Sequence, residues 1–154
     1  MEADLPQADL DLEALRRHRA ELRECISALE QALAAPARDR PGNWVERVHV
    51  ALVELSADFR EHIAITEGPD GLYPGVLTSA PHLAPSVASL TREHVQIKDM
   101  TEQLLALLSG PTASDDVDAA RELGTTLLGK LTRHRQRGAD LVYDAFQTDI
   151  GGET

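Results

Sequence analysis

Apolar residues recur at every third or fourth position along four long stretches of the chain, which is the period of an α-helix with one buried face. Prolines and Gly-Pro pairs separate the stretches, and the alternating pattern typical of β-strands does not occur. Long amphipathic helices joined by short connections pack side by side in alternating directions. The pattern therefore predicts an all-α, up-down-up-down antiparallel four-helix bundle, with helices at about 9–34, 43–67, 85–109 and 114–147.

The longest connection, residues 68–85, is rich in glycine and proline but also contains the apolar residues Leu72, Tyr73, Val76 and Leu77. Apolar side chains of this kind anchor a connection on the core, so we expect an ordered segment. It joins the second and third helices, and we expect it to roof that end of the bundle and to control the access of small molecules.

Four of the six histidines lie on the predicted apolar faces, one on each helix: His18, His62, His94 and His134. In an antiparallel bundle the beginnings of the first and third helices meet the ends of the second and fourth, so all four imidazoles are predicted to lie in one layer. Buried imidazoles need polar partners, and one shared cation can satisfy several of them. We therefore predict a metal site in this layer, with His49 and His82 outside it.

Carboxylates near the histidines bear on which metal is bound, because imidazole together with carboxylate is a ligand set of non-haem iron or manganese. Glu67 follows His62 by five residues and is the leading candidate. Asp140 follows His134 by six residues, and a π-bulge near Gly138 would turn it towards the layer.

Other acidic residues leave alternatives open. Glu93 lies beside His94 and is either a hydrogen-bond partner of a ligand or a solvated charge. Asp144, ten residues after His134, is an alternative to Asp140, whereas we expect Glu21 to face solvent.

These residues, in this order, resemble the bacterial hemerythrin-like (HHE cation-binding) family, with one histidine per helix, Glu67 before a Leu-Tyr-Pro turn, a Glu-His pair and Asp140 after the last histidine. The stretches HIAITEGPDGLYP and HRQRGADLVYDAF resemble an actinobacterial branch of it. The resemblance covers about residues 12–147. It implies a non-haem di-iron centre that meets dioxygen, nitric oxide or peroxide, or that reports on iron and oxygen. The implied ligands are the four histidines, a bridging Glu67 and a second bridge from Asp140.

The chain departs from the family pattern at three positions. Lys98 stands where oxygen-carrying members have a second histidine on the third helix, and Thr66 and Gly138 stand where members often have a bridging carboxylate. The sequence therefore favours binding, sensing or detoxifying a small oxidant over reversible oxygen carriage. The small residues Gly138 and Ala139 are expected to leave room beside the metal for water or a ligand.

The charge and the cysteine content of the chain argue against several classes of function. With 26 acidic and 15 basic residues, the net charge of −11 argues against binding to nucleic acid or to a membrane surface. The chain has no signal-peptide pattern at its start and a single cysteine, Cys25, so we expect a cytoplasmic protein without an internal disulfide. We expect one domain over residues 1–154, with an irregular tail at 148–154.

Two alternatives to the iron centre stay open: haem bound between two of the histidines, and a metal-free bundle whose acidic surface binds a partner. The sequence identifies no protein partner. No nucleophile and base pair is visible, so any turnover would be the redox chemistry of the metal.

Overall fold

The computed structural model describes the backbone of residues 4–153 and the side chains of residues 13–146. In that part of the chain all the regular structure is helical, which confirms the all-α prediction. Four long helices pack in the ring α1, α2, α4, α5 and form the predicted antiparallel bundle. The helices are α1 Asp4–Ala34, α2 Pro41–Glu67, the short α3 Leu72–Ser79, α4 Ala84–Ser109 and α5 Val117–Glu153, with single 3₁₀ turns at Pro81–Leu83 and Ala113–Asp115.

Helix ends differ from prediction where the stop signals are weak. The backbone of α5 stays helical to Glu153, so the expected irregular tail at 148–154 is wrong for its described part. No proline follows Pro111 in the sequence, and glycines such as Gly151 weaken a helix without breaking it. At the other end of this helix, the 3₁₀ turn at Ala113–Asp115 delays its start to Val117.

The connection between α2 and α4 is ordered, as expected, and contains α3. Tyr73 and Val76 are buried in a small apolar cluster beneath this helix, together with Leu90 and Leu141 from the long helices. Leu77 is 40 % exposed, so its expected role in the roof is wrong. It lies on the outer face of α3.

The four predicted histidines lie between two apolar regions of the interior. A large core cluster extends from Leu131 and Ile97 towards the far end of the bundle, and the small cluster under α3 closes the near end. The imidazole side chains are 1–9 % exposed. Four imidazoles thus lie in an interior whose other buried polar side chains, among the described residues, are Thr66 and Thr101. None of the described helices is long and apolar enough to cross a membrane.

Candidate metal centre

Three imidazoles converge from three helices. His62 of α2, His94 of α4 and His134 of α5 each offer a ring nitrogen, and these nitrogens lie within 4.8 Å of one another. The Nε2 atoms of His62 and His134 are 3.3 Å apart, and the ring centroids of the three residues are 4.7–5.4 Å apart. We call these residues the histidine triad.

The fourth histidine lies beside the triad. The ring of His18 stacks on that of His62 with centroids 5.4 Å apart, so the layer predicted from helix direction is present. The ring nitrogens of His18 nevertheless group with the carboxylates of Glu21, Asp58 and Glu61. The predicted single set of four imidazoles is therefore divided into the triad and a separate His18 cluster.

Two carboxylates hold the outer nitrogens of the triad. With the proton on Nδ1, His94 donates a hydrogen bond to Oε2 of Glu67 at 2.5 Å. His134 donates from Nδ1 to Oε1 of Glu93 at 2.8 Å, and Arg137 pairs with the other oxygen of Glu93. Such partners fix the orientation of a metal-binding imidazole and make it a stronger ligand.

The position of Glu67 differs from the bridging position that we predicted. Five residues on from His62, it lies about 140° further round α2 and reaches the outer edge of His94 on α4. Glu93 is a hydrogen-bond partner, one of its two predicted roles, but its imidazole is that of His134 on the neighbouring helix, not that of its sequence neighbour His94.

The two carboxylates that we predicted on α5 do not join the triad. Asp140 is exposed and accepts a hydrogen bond from Nε2 of Gln136 at 3.0 Å. Its predicted position as a second bridge required a π-bulge near Gly138, but the helix is a regular α-helix there. Asp144 is exposed as well. Six residues of regular helix turn Asp140 away from the face that carries His134.

The triad is neutral at pH 7. Burial, followed by repulsion from His94 and His134, lowers the pKa of His62 to about 2. Burial also lowers the pKa of His94 and of His134, although the neighbouring carboxylates Glu67 and Glu93 oppose the shift. A neutral imidazole keeps the lone pair that a metal needs.

A comparison of the sequence with protein families shows the family to which the chain belongs. The model of the hemerythrin HHE cation binding domain matches residues 10–145. The chain belongs to this hemerythrin family. No curated protein and no solved structure matches the chain. The family binds cations, and the histidine triad is a ligand set that a transition metal accepts.

The three departures from the hemerythrin pattern have structural counterparts. Lys98 is exposed, and Thr66 is buried with its hydroxyl donating to the backbone oxygen of His62 at 2.8 Å. Gly138 lines a cavity of about 30 Å³ beside His62 and His134, and a Cβ at this glycine would meet nothing within 4 Å. The room expected at Gly138 is therefore present.

Tyr73 forms one wall of that cavity. Its hydroxyl lies 3.3 Å from Nε2 of His94, and the two rings stack with centroids 5.6 Å apart. Burial raises the pKa of Tyr73 well above its ordinary value, so the hydroxyl stays protonated and can donate a hydrogen bond.

Sequence reasoning missed Asp58 and Glu61. These residues lie three apart on α2, and they face His18 and Glu21, which lie three apart on α1. The repeated spacing of three is visible in the sequence, because it places both members of a pair on one helix face. Periodicity alone does not show that these two faces meet.

Proposed function

We propose that the chain is a non-haem iron protein that binds, senses or detoxifies a small oxidant, namely dioxygen, nitric oxide or peroxide. The observation that carries the proposal is the convergence of three neutral, buried imidazoles from three helices. A cytoplasmic location is part of the proposal. The single cysteine is compatible with it, since no disulfide within the chain can form.

One distance in the triad equals the separation expected of two ligands of one cation. Two imidazole nitrogens bound about 2.1 Å from one cation, at an angle near 105°, are about 3.3 Å apart. The Nε2 atoms of His62 and His134 are separated by 3.3 Å. Nε2 of His94 faces the same interior region, because its Nδ1 is held by Glu67 on the opposite edge of the ring.

Each residue around the triad has a defined task in this proposal. Glu67 and Glu93 accept the Nδ1 protons, so the Nε2 lone pairs point inward. The protonated hydroxyl of Tyr73 lies 3.3 Å from Nε2 of His94, and with iron bound to that nitrogen the hydroxyl would donate to a ligand of the iron instead. Bound iron would supply the redox chemistry, and the protein would position it, exclude bulk water and admit a small ligand.

The size of the cavity supports a small ligand. A volume of about 30 Å³ accommodates a water molecule, which needs about 10–15 Å³, and by the same measure a diatomic molecule. A larger apolar groove of about 670 Å³ shares Leu15, Leu72 and Val142 with the small cavity. We propose that these three side chains separate the groove from the triad and that an uncharged ligand passes between them.

The proposal includes a second iron ion on the His18 side of the layer. Support comes from the stacking of His18 on His62 and from the ring nitrogens of His18, which have no hydrogen-bond partner among the described residues. A di-iron centre of this form differs from the bridged centre that the family resemblance implied, because Glu67 and Asp140 point elsewhere.

The haem alternative receives less support. The cavity beside the triad is about 30 Å³, whereas pockets that enclose organic ligands measure about 300 Å³ or more. The larger groove could enclose such a ligand, but the described residues that line it include no histidine, cysteine or methionine to bind haem iron.

Metal analysis of anaerobically purified protein tests the proposal. We expect close to two iron ions per chain and no porphyrin absorption. His94→Ala and His134→Ala should lose the triad iron, whereas His49→Ala and His82→Ala should retain it as matched controls. Nitric oxide should change the absorption spectrum of the iron-loaded wild type, and His134→Ala should lack the part of that change that comes from the triad iron.

Three results would contradict this function. They are a chain that takes up no iron on reconstitution, a Soret band, and stability that is indifferent to chelators in both the wild type and His134→Ala. The last result would favour the metal-free interaction bundle. One iron per chain, lost in His134→Ala, would contradict only the di-iron part.

A further inference from the structure

The His18 cluster is a second set of metal-ligand groups, on the outer side of the bundle interior. His18 and Glu21 belong to α1, and Asp58 and Glu61 belong to α2. One ligand atom of each residue, a ring nitrogen or a carboxylate oxygen, lies within 4.8 Å of those of the other three. The cluster is distinct from the triad, with which it shares no residue.

The imidazole of His18 is buried without a partner. The residue is 3 % exposed, and neither ring nitrogen has a hydrogen-bond partner among the described residues. Oδ2 of Asp58 is also buried and also lacks a partner. Buried polar atoms are nearly always satisfied by protein, water or an ion, so this pair indicates a ligand between them.

The charges in the cluster point to a cation. Three carboxylates lie together, and the described residues place no lysine or arginine within 4.0 Å of any of them. Like charges at this separation repel, and the partly buried position of Asp58 reduces screening by water. A bound cation removes the repulsion and satisfies His18 at the same time.

We infer that His18, Glu21, Asp58 and Glu61 form a second cation site, which holds a divalent metal ion of the Mn²⁺ or Fe²⁺ class. One imidazole with three carboxylates suits these ions, because carboxylates suit Mn²⁺ and imidazole suits iron, whereas the all-imidazole triad suits iron better than Mn²⁺. The inference rests on the proposed function in one respect, since it names the side chains that hold the second ion.

The two sites differ in access as well as in ligands. Glu21 and Glu61 are exposed, so an ion at the His18 cluster is reached from solvent without any movement of the bundle. The triad lies deeper, on the other side of the ring of His62, against which His18 stacks. We therefore expect the ion of the His18 cluster to exchange faster than the triad ion.

A titration of the metal-free full-length chain with Mn²⁺ tests the site, with free Mn²⁺ followed by its electron paramagnetic resonance signal. We expect the double variant Asp58→Asn/Glu61→Gln to weaken binding at least tenfold, since it keeps the side-chain shapes and removes two charges. Glu24→Gln/Glu54→Gln is the matched control, because it removes the same charge from the same two helices outside the cluster. The control should bind Mn²⁺ as the wild type does.

A second arm separates this site from the proposed function. His134→Leu removes one triad ligand and should leave Mn²⁺ binding at the His18 cluster within twofold of the wild type. If Asp58→Asn/Glu61→Gln binds Mn²⁺ like the wild type, or no more weakly than its control, the His18 site is overturned while iron at the triad stands. If instead His134→Leu keeps its full iron content and the Asp58 variant loses metal, the proposed function fails and the His18 site stands.

Discussion

The far end of the bundle and its histidine end are built by the same four helices but filled with different side chains. At the far end, Leu29, Leu52, Leu104 and Leu127 are completely buried and belong to the large core cluster. Arg121 closes this end by donating to the backbone oxygens of Leu33 and Ala35 at 3.2 and 2.7 Å and by lying over the ring of Trp44.

The histidine end is equally buried, but several of its buried polar atoms have no hydrogen-bond partner among the described residues. Both ring nitrogens of His18 and Nδ1 of His62 lack hydrogen-bond partners among the described residues. Burying such groups costs free energy, whereas burying leucine provides it. At the far end, Nε1 of Trp44 is one buried polar atom without a partner among the described residues, within a core that otherwise stabilises the fold. At the histidine end three ring nitrogens lack partners, and a bound ion would satisfy them.

The largest expected effect comes from a cavity at the far end. Leu127→Ala should lower the free energy of unfolding by about 3 kcal/mol, because a completely buried leucine loses its contacts and leaves a void. Iron content per folded chain should not change. Urea unfolding in the presence of a chelator measures the first quantity, and metal analysis measures the second.

His134→Leu is the counterpart of Leu127→Ala at the histidine end of the same helix. His134 is 2 % exposed, so the two positions are comparably buried. Here the metal-free protein should lose less stability than Leu127→Ala does, because leucine fills the space of the imidazole and the main cost is the hydrogen bonds that Glu93 and His62 lose, while triad iron is lost. If this variant were as unstable as Leu127→Ala, the histidine would serve packing, and the contrast between the two ends would be wrong.

The sequence predicts the fold well because each long helix buries one stripe of its surface. The stripes that contain Leu52 and Leu127 also contain His62 and His134. The recurrence of buried residues at every third or fourth position therefore identified both the core and the histidine layer. Helix direction then placed the histidines at one level, and the structure agrees.

The contacts around the histidines were harder to predict, because they depend on which helix faces which. The periodicity of α4 gives the position of Glu93 on that helix, but it does not show that the carboxylate accepts a hydrogen bond from His134 of α5. Asp58 reaches His18 only because α1 and α2 are neighbours. The exposure of Glu21 was predicted correctly, yet an exposed carboxylate can still belong to a cluster at the rim of the interior.

Acidification should weaken the histidine end selectively. Unfolded imidazoles titrate near pH 6.5, whereas His62 stays neutral in the folded protein down to about pH 2. Below pH 6.5 the unfolded state therefore binds more protons, and stability falls as the pH falls. For the metal-free protein, His62 alone predicts a loss of about 2 kcal/mol between pH 8 and pH 5.

His94 and His134 should add to this loss, since their pKa values are lowered too. Urea unfolding at pH 8, 6.5 and 5 measures the dependence. His62→Leu should make the curve shallower by the share that His62 contributes, whereas Leu127→Ala should shift the whole curve downwards without changing its slope. A wild-type curve that is flat across this range would mean that the triad is not buried and neutral.

Glu93→Gln should weaken iron binding by at least tenfold, which is about 1.4 kcal/mol. Glutamine keeps the shape of the side chain but removes the negative charge that His134 and Arg137 face. Glu102→Gln, an exposed position on the same helix, is the control. Competition with a chromophoric chelator measures both affinities, and equal values would remove Glu93 from the metal site.

The smallest effect should come from Gly138 of α5, and Gly124, at the other end of the bundle on the same helix, should not share its gain. A Cβ at Gly138, in the histidine end, would meet nothing within 4 Å, so Gly138→Ala should stabilise the protein by about 0.5–1 kcal/mol through helix propensity. A Cβ at Gly124, in the far end, would lie 2.7 Å from Cδ1 of Leu33. Overpacking costs about 1–3 kcal/mol, so Gly124→Ala should be neutral or destabilising.

Gly129→Ala is the reference for both glycines. This position is exposed, lies between the two on the same helix and also has open space around its Cβ. Thermal unfolding of the three metal-free variants should place Gly129→Ala with Gly138→Ala and well above Gly124→Ala. Equal gains in thermal stability at all three positions would mean that the far end accommodates an added methyl group. Close packing would then not distinguish the far end from the histidine end.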